Sequence, residues 1–306
     1  MGNDLLVVAG SVATLFLMMA VGFVFAKLGL LTKDTQGQLS ALLLKVVAPC
    51  IMISSLQVDF SRELLRDMLW TLAALVGTYV LYGVGVRLLF RRQPTDTRAA
   101  LRFGVMFGNV GFMGIPLIRS VLGTEALLFC TMSLVVFNTG NWTYGTVLMG
   151  DRISLKKAVL NPGIIGMVIA MTLYLAQIRL PGPILSAVEY MGDLNTPLAM
   201  VVIGAQMARA DLLATFREKR LYAAAALKLL VMPLVTLLVL LPFGLKPMAL
   251  MTVVILAGCP TAGATSMFAQ MFDRDTATAA RLVTLSTLLS ILTLPLVALA
   301  ARYLGG

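Results

Sequence analysis

The sequence predicts an all-α polytopic membrane protein of ten transmembrane helices, built as two inverted five-helix repeats whose fourth and ninth helices are broken. Three observations predict it. Of 306 residues, 59% are hydrophobic and only 12% charged, against about 45–50% and about 25% in soluble globular domains. The apolar residues fall into long runs, and the charge gathers in the short stretches between them. Prolines interrupt four of these runs at matched distances in the two halves of the chain.

A helix needs roughly 20 apolar residues to cross the hydrocarbon core. On that ruler the spans fall at about 4–26, 39–57, 67–90, 100–121, 125–149, 160–178, 184–208, 220–242, 247–271 and 276–302. The first runs from Leu5 to Phe25 behind Asp4. It is too long for a cleaved signal peptide and lacks the basic start, so it reads as a span. The second holds Pro49, with Lys45 near enough to its end to snorkel into the interface. The third is an unbroken run. The fourth carries Gly108-Asn109-Val110-Gly111-Phe112-Met113-Gly114-Ile115-Pro116 at mid-span, a poor continuous helix because Gly costs about 1 kcal/mol and interior Pro about 3. In the fifth, Asn138 and Asn141 lie three apart and share a face. The sixth opens at Asn161-Pro162, and the seventh contains Glu189, Asp193 and Pro197. The eighth buries Lys228, the ninth repeats the break as Ala257-Gly258-Cys259-Pro260-Thr261-Ala262-Gly263-Ala264-Thr265-Ser266, and the tenth ends the chain.

Orientation follows from basic residues in alternate loops. Sixteen of the 24 Lys and Arg fall on one side and six on the other, with Lys45 and Lys228 inside spans. This bias predicts both termini outside. From Pro49 to Pro197 is 148 residues, and from Pro116 to Pro260 is 144. The predicted repeats are therefore residues 1–150 and 151–306. A repeat of five spans is odd, so the second copy enters the membrane reversed, a plan that recurs in secondary transporters.

Composition excludes several chemistries. The chain has no histidine, which removes the commonest metal ligand and the usual proton relay. Cys50, Cys130 and Cys259 sit singly in apolar runs and read as small buried residues. The net charge of +10 comes from basic residues beside the ends of spans, which points to an anionic leaflet rather than nucleic acid. No nucleophile with a neighbouring base, metal cluster or nucleotide loop marks an enzyme. The loops are too short for an ATPase module, so transport by such a chain runs on a gradient.

Two breaks at mid-membrane are tolerable only against protein or a water-filled cavity. With Pro116 and Pro260 in the first turns of the second half-helices, free N–H groups and positive dipole ends would meet there, a site for an anion. The expected substrate-binding residues are Asn109, Gly111, Pro116, Asn138, Asn141, Pro260, Thr261 and Thr265. Asp193 and Lys228 each fall ~12–14 Å into adjacent spans, near the middle of a ~30 Å core. They are expected to pair and to serve ion or proton coupling, or simply to tie two helices together. No cofactor is expected beyond a coupling proton or sodium ion.

The stretch from Asn109 to Leu117 resembles the fourth-helix motif of the auxin efflux carrier family, and Cys259-Pro260-Thr261-Ala262 with Phe268-Ala269-Gln270 its ninth-helix motif. Pro197 to Ala205 is similar to the seventh helix of bacterial members, Asn161-Pro162 to the start of helix six, and Leu288-Leu289-Ser290 to Pro295 to the last helix. The likeness runs from about Leu5 to Ala301. The long central loop of many plant members is missing, and Thr261 stands where plant exporters carry glutamine. The resemblance implies scaffold and transport domains, helices four and nine crossing at the substrate site, carboxylate substrates such as auxin or malonate, a homodimer, and a place among lipids of the bacterial inner membrane. A channel, or a coupled carrier of a non-carboxylate solute, is the alternative.

Overall fold

The computed structural model describes residues 2–150, 152–153 and 155–305. Asp151, at the expected boundary between repeats, and the terminal Met1 and Gly306 lie outside the described residues. The helices, in order, are α1 (Gly2–Lys27), α2 (Lys33–Ser55), α3 (Arg62–Leu88), α4 (Thr95–Met106), α5 (Val110–Leu122), α6 (127–148), α7 (Leu155–Val159) and α8 (Pro162–Leu175). They continue with α9 (Gly182–Asp193), α10 (Asn195–Ala208), α11 (Leu212–Arg217), α12 (Lys219–Phe243), α13 (Pro247–Ala257), α14 (Ala264–Met271) and α15 (Thr276–Gly305). Among the described residues there is no strand, only one isolated β-bridge.

Among the described residues five helices are long and apolar enough to cross a membrane: Val8–Lys27, Lys33–Ser55, Arg62–Leu88, Lys219–Phe243 and Thr276–Tyr303. The interrupted segments α4/α5, α9/α10 and α13/α14 fall short individually because each is split. Two helices start earlier than their apolar runs. The Ser61 hydroxyl accepts from the Leu64 N–H and begins α3 at Arg62, and the Thr32 hydroxyl accepts from the Thr35 N–H and begins α2 at Lys33. A capped polar first turn is invisible to a hydropathy ruler.

Three interior prolines follow π turns. Leu43–Val47 stands two residues before Pro49, Val110–Gly114 before Pro116 and Leu227–Val231 before Pro233. A proline ring clashes with the carbonyl four residues back and removes an N–H, and a widened turn relieves both. The seventh segment instead kinks at Leu194, between α9 and α10 and just before Pro197.

The helices pack as two groups. In one, α1 lies along α10 while α2 packs on α8 and α9. In the other, α15 packs against α4, α12, α13 and α14, and α3 against α6. The α1–α10 contact is close enough to require glycine, since a Cβ on Gly204 would fall 1.9 Å from the Met19 carbonyl oxygen and one on Gly22 would strike the Val201 backbone. Small residues are the usual means of close helix approach in membranes. Contacts of α1 with α5 and α15 join the two groups.

Candidate functional site: the crossing of two broken helices

Between α4 and α5 the chain is extended at Phe107 and turns tightly at Asn109, and between α13 and α14 it is irregular over 258–263. The two interruptions meet. Gly108 and Thr261 form an antiparallel bridge, the Asn109 N–H donates to the Pro260 carbonyl (2.7 Å), and the Ala262 N–H donates to the Phe107 carbonyl (3.0 Å). Ser286 of α15 accepts the Thr261 N–H at 3.1 Å, and the Thr261 hydroxyl donates to the Gly104 carbonyl at 3.0 Å. The Asn109 side chain caps α5, its Oδ1 accepting from the Phe112 N–H at 3.2 Å. Each break thus supplies hydrogen-bond partners to the other, which meets the requirement that buried backbone groups be satisfied.

This changes four expectations. The second half-helix of the fourth segment starts after Asn109, not at Pro116, which lies buried beyond the π turn. Pro260 lies in the crossing itself, four residues before α14, and is buried. The N–H groups of Asn109, Phe112, Thr261 and Ala262 are engaged rather than free. Asp193 and Lys228 do not pair. Asp193 is exposed at the end of α9 and binds Arg119 of α5 at 2.6 Å, whereas Lys228 is buried in α12. Arg119 lies ten residues, about 15 Å, along α5 from Asn109, so Asp193 is not at the level of Lys228.

Lys228 stands at the crossing. It is 1% exposed, its Nζ donates to the Ala257 carbonyl at 2.8 Å, and that carbonyl ends α13 just before the break. A Cβ on Gly108 would lie 2.8 Å from the same Nζ, so a side chain there would displace the ammonium from its present position. Among the described residues no carboxylate lies within ion-pair distance of Lys228. Beside it is a cavity of about 20 Å³ whose walls include Tyr79, Tyr82, Ser133 and Thr236. That is room for a water molecule.

The remaining expected residues scatter around this point. Thr265 is fully buried, with a hydroxyl that has no hydrogen-bond partner, and the Oδ1 of buried Asn141 has none either. Asn138 is half-buried against the start of α8, where its amide nitrogen would collide with a side chain at position 163. Gly111 sits in the π turn of α5 and faces Leu134. Sequence reasoning missed Ser286, Gly104 and Arg119. Ser286 lies among Thr284, Thr287 and Ser290, all buried, and so many small hydroxyl residues in one span are its only signal. Among the described residues no group of three or more His, Cys, Asp or Glu could hold a metal ion.

Comparison with known proteins places this geometry in a family. A family model described as "Membrane transport protein" matches residues 7–154 and again residues 151–298. The chain is 24% identical over 306 aligned positions to an "Uncharacterized transporter" of Methanothermobacter thermautotrophicus, covering 94% of this chain and 96% of that one. It is 23% identical over 301 positions to a "Putative malonate transporter" of Rhizobium meliloti, covering 94% and 93%. With nearly its whole length matched, the chain belongs to the membrane transport protein family, that of the auxin efflux carriers, and is a membrane transporter and not an enzyme.

Proposed function

We propose that this transporter is a gradient-driven carrier of small organic anions, carboxylates of malonate size, which it moves by alternating access. Lys228 carries the reading. An ammonium buried beside both breaks, with a carbonyl but no carboxylate against it, is costly in a membrane and is functional by default. It supplies the counter-charge for an anion arriving where the segments cross. The family, and the name of the relative from Rhizobium meliloti, support the substrate class. The matched prolines support ten spans in two inverted repeats.

The cavity beside Lys228, about 20 Å³, admits water and not a dicarboxylate. On this reading the two helix groups part to admit substrate. The Arg119–Asp193 ion pair ties α9 to α5, which packs on both groups, and opens as they separate. The basic loops lie on the cytoplasmic side of a plasma membrane, and both termini on the other. The test is a thermal-shift series on purified protein with mono- and dicarboxylates. A ligand at 100 times its Kd stabilises the folded state by about 2.7 kcal/mol. A dose-dependent rise with malonate-sized anions in wild type, lost in K228M, supports the reading. No rise with any carboxylate contradicts it.

A further inference from the structure

Outside the crossing, α3 and α6 enclose a groove of about 560 Å³. Its wall on α3 is the ridge Val76, Val80 and Val84, which are 49%, 62% and 61% exposed, and its other wall includes Val135 and Thr139 of α6. The groove is apolar along its length and ends in a basic cluster. Arg87 closes it, and Arg91, Arg92, Arg98 and Arg102 follow within 15 residues. From Leu72 to Arg87 along α3 is about 22 Å, more than the roughly 15 Å half-thickness of a hydrocarbon core.

Arg87 is held in place. Its Nε donates to the Tyr144 hydroxyl at 2.8 Å, its guanidinium lies 5.4 Å from the centre of the Tyr144 ring, and that hydroxyl donates in turn to the Gly83 carbonyl. The Tyr144 bond uses Nε alone, so the two Nη groups form the forked face that suits a phosphate. Asp96, the nearest acid in sequence to the cluster, is paired with Arg274.

We propose that this groove binds one anionic phospholipid, with an acyl chain between α3 and α6 and the phosphate on Arg87. Charge complementarity selects that occupant. A free phosphate would leave the apolar channel uncovered, and a zwitterionic lipid would bring its own cation into a cluster of arginines. The groove adjoins the crossing through Tyr79 and Met106, which also line the cavity beside Lys228.

The test uses the full-length protein in nanodiscs doped with phosphatidylglycerol or phosphatidylcholine carrying a photoreactive acyl chain, with cross-links mapped by mass spectrometry. The phosphatidylglycerol probe is expected to label residues 72–87 and 135–144, and to be displaced by unlabelled phosphatidylglycerol but not by phosphatidylcholine or inorganic phosphate. R87Q is expected to cut that labelling roughly fivefold, the scale of one basic residue at an anionic surface, while the phosphatidylcholine signal stays constant. T139W, which fills the groove from an exposed position, removes both signals. Should R87Q fold poorly, Y144F, which releases Arg87 without touching its charge, is expected to lower phosphatidylglycerol labelling alone. Equal labelling by both lipids in wild type, displacement by inorganic phosphate, phosphatidylglycerol labelling that R87Q leaves undiminished, or labelling that survives T139W overturns the proposal.

Discussion

At the scale of single residues, Lys228 separates structure from function. A buried charge without a carboxylate partner is a burden on folding, so K228M, similar in volume and uncharged, is expected to melt at the wild-type temperature or above it. Anion uptake by the same variant is expected to fall roughly tenfold or more, the scale of a charge-assisted hydrogen bond of ~1.5–3 kcal/mol. Uptake assays and thermal denaturation on one preparation check both. Asp275 makes a pH prediction. Burial would raise its carboxyl, but the Thr278 N–H and hydroxyl and the Thr97 hydroxyl hold it below the ordinary value of 3.8. A depressed acid stabilises the fold above the ordinary carboxylate range and loses that contribution as pH falls through the lowered value. Between about pH 5 and 2 wild type is therefore expected to lose more stability than D275N, as followed by melting temperature. Asn109, Pro260 and Thr261 were legible as a break because Asn, Pro and small residues at mid-span disfavour helix. The hydrogen bonds between the two breaks were not, because Asn109 and Pro260 lie 151 residues apart and Thr261 and Gly104 157. The expected Asp193–Lys228 pair failed because counting residues from a span's apolar start takes no account of where its helix lies: Asp193 reaches Arg119, ten residues along α5 from Asn109, whereas Lys228 stands at the crossing.

At the scale of elements, the sequence announced where helices stop better than how they continue. Pro49 and Pro116 were read as interruptions, yet a π turn carries the helix past each. Period and propensity describe an ideal 3.6-residue turn and miss that remedy. Capped polar starts escaped for the related reason that their first turns are not apolar. The contact of α1 with α10 gives a paired prediction. G204A places a methyl group 1.9 Å from a backbone oxygen and is expected to destabilise by at least the ~1–3 kcal/mol typical of overpacking. Gly10 of α1, where a Cβ would meet nothing within 4 Å, is expected to accept alanine with neutral or slightly stabilising effect. Thermal denaturation of the two variants in the same detergent distinguishes a close-packing role from a general intolerance of substitution.

At the scale of the whole molecule, the all-helical, membrane-embedded class was open to reading because a bilayer constrains composition and run length so tightly. The sorting of helices into two groups was not, since nearly every span is apolar on all sides and no polar face marks a neighbour. That sorting makes the Arg119–Asp193 ion pair a test of relative motion. With cysteines at both positions, oxidation is expected to arrest transport and reduction to restore it. Uptake unaffected by the cross-link would mean that the groups do not separate there. The decisive measurement is counterflow: labelled malonate entering proteoliposomes preloaded with unlabelled malonate, in wild type and in K228M. Saturable uptake accelerated by the internal pool, and abolished in K228M that remains folded, is the expected result. Linear uptake indifferent to the internal pool, or full activity in K228M, would contradict an anion carrier built on the crossing.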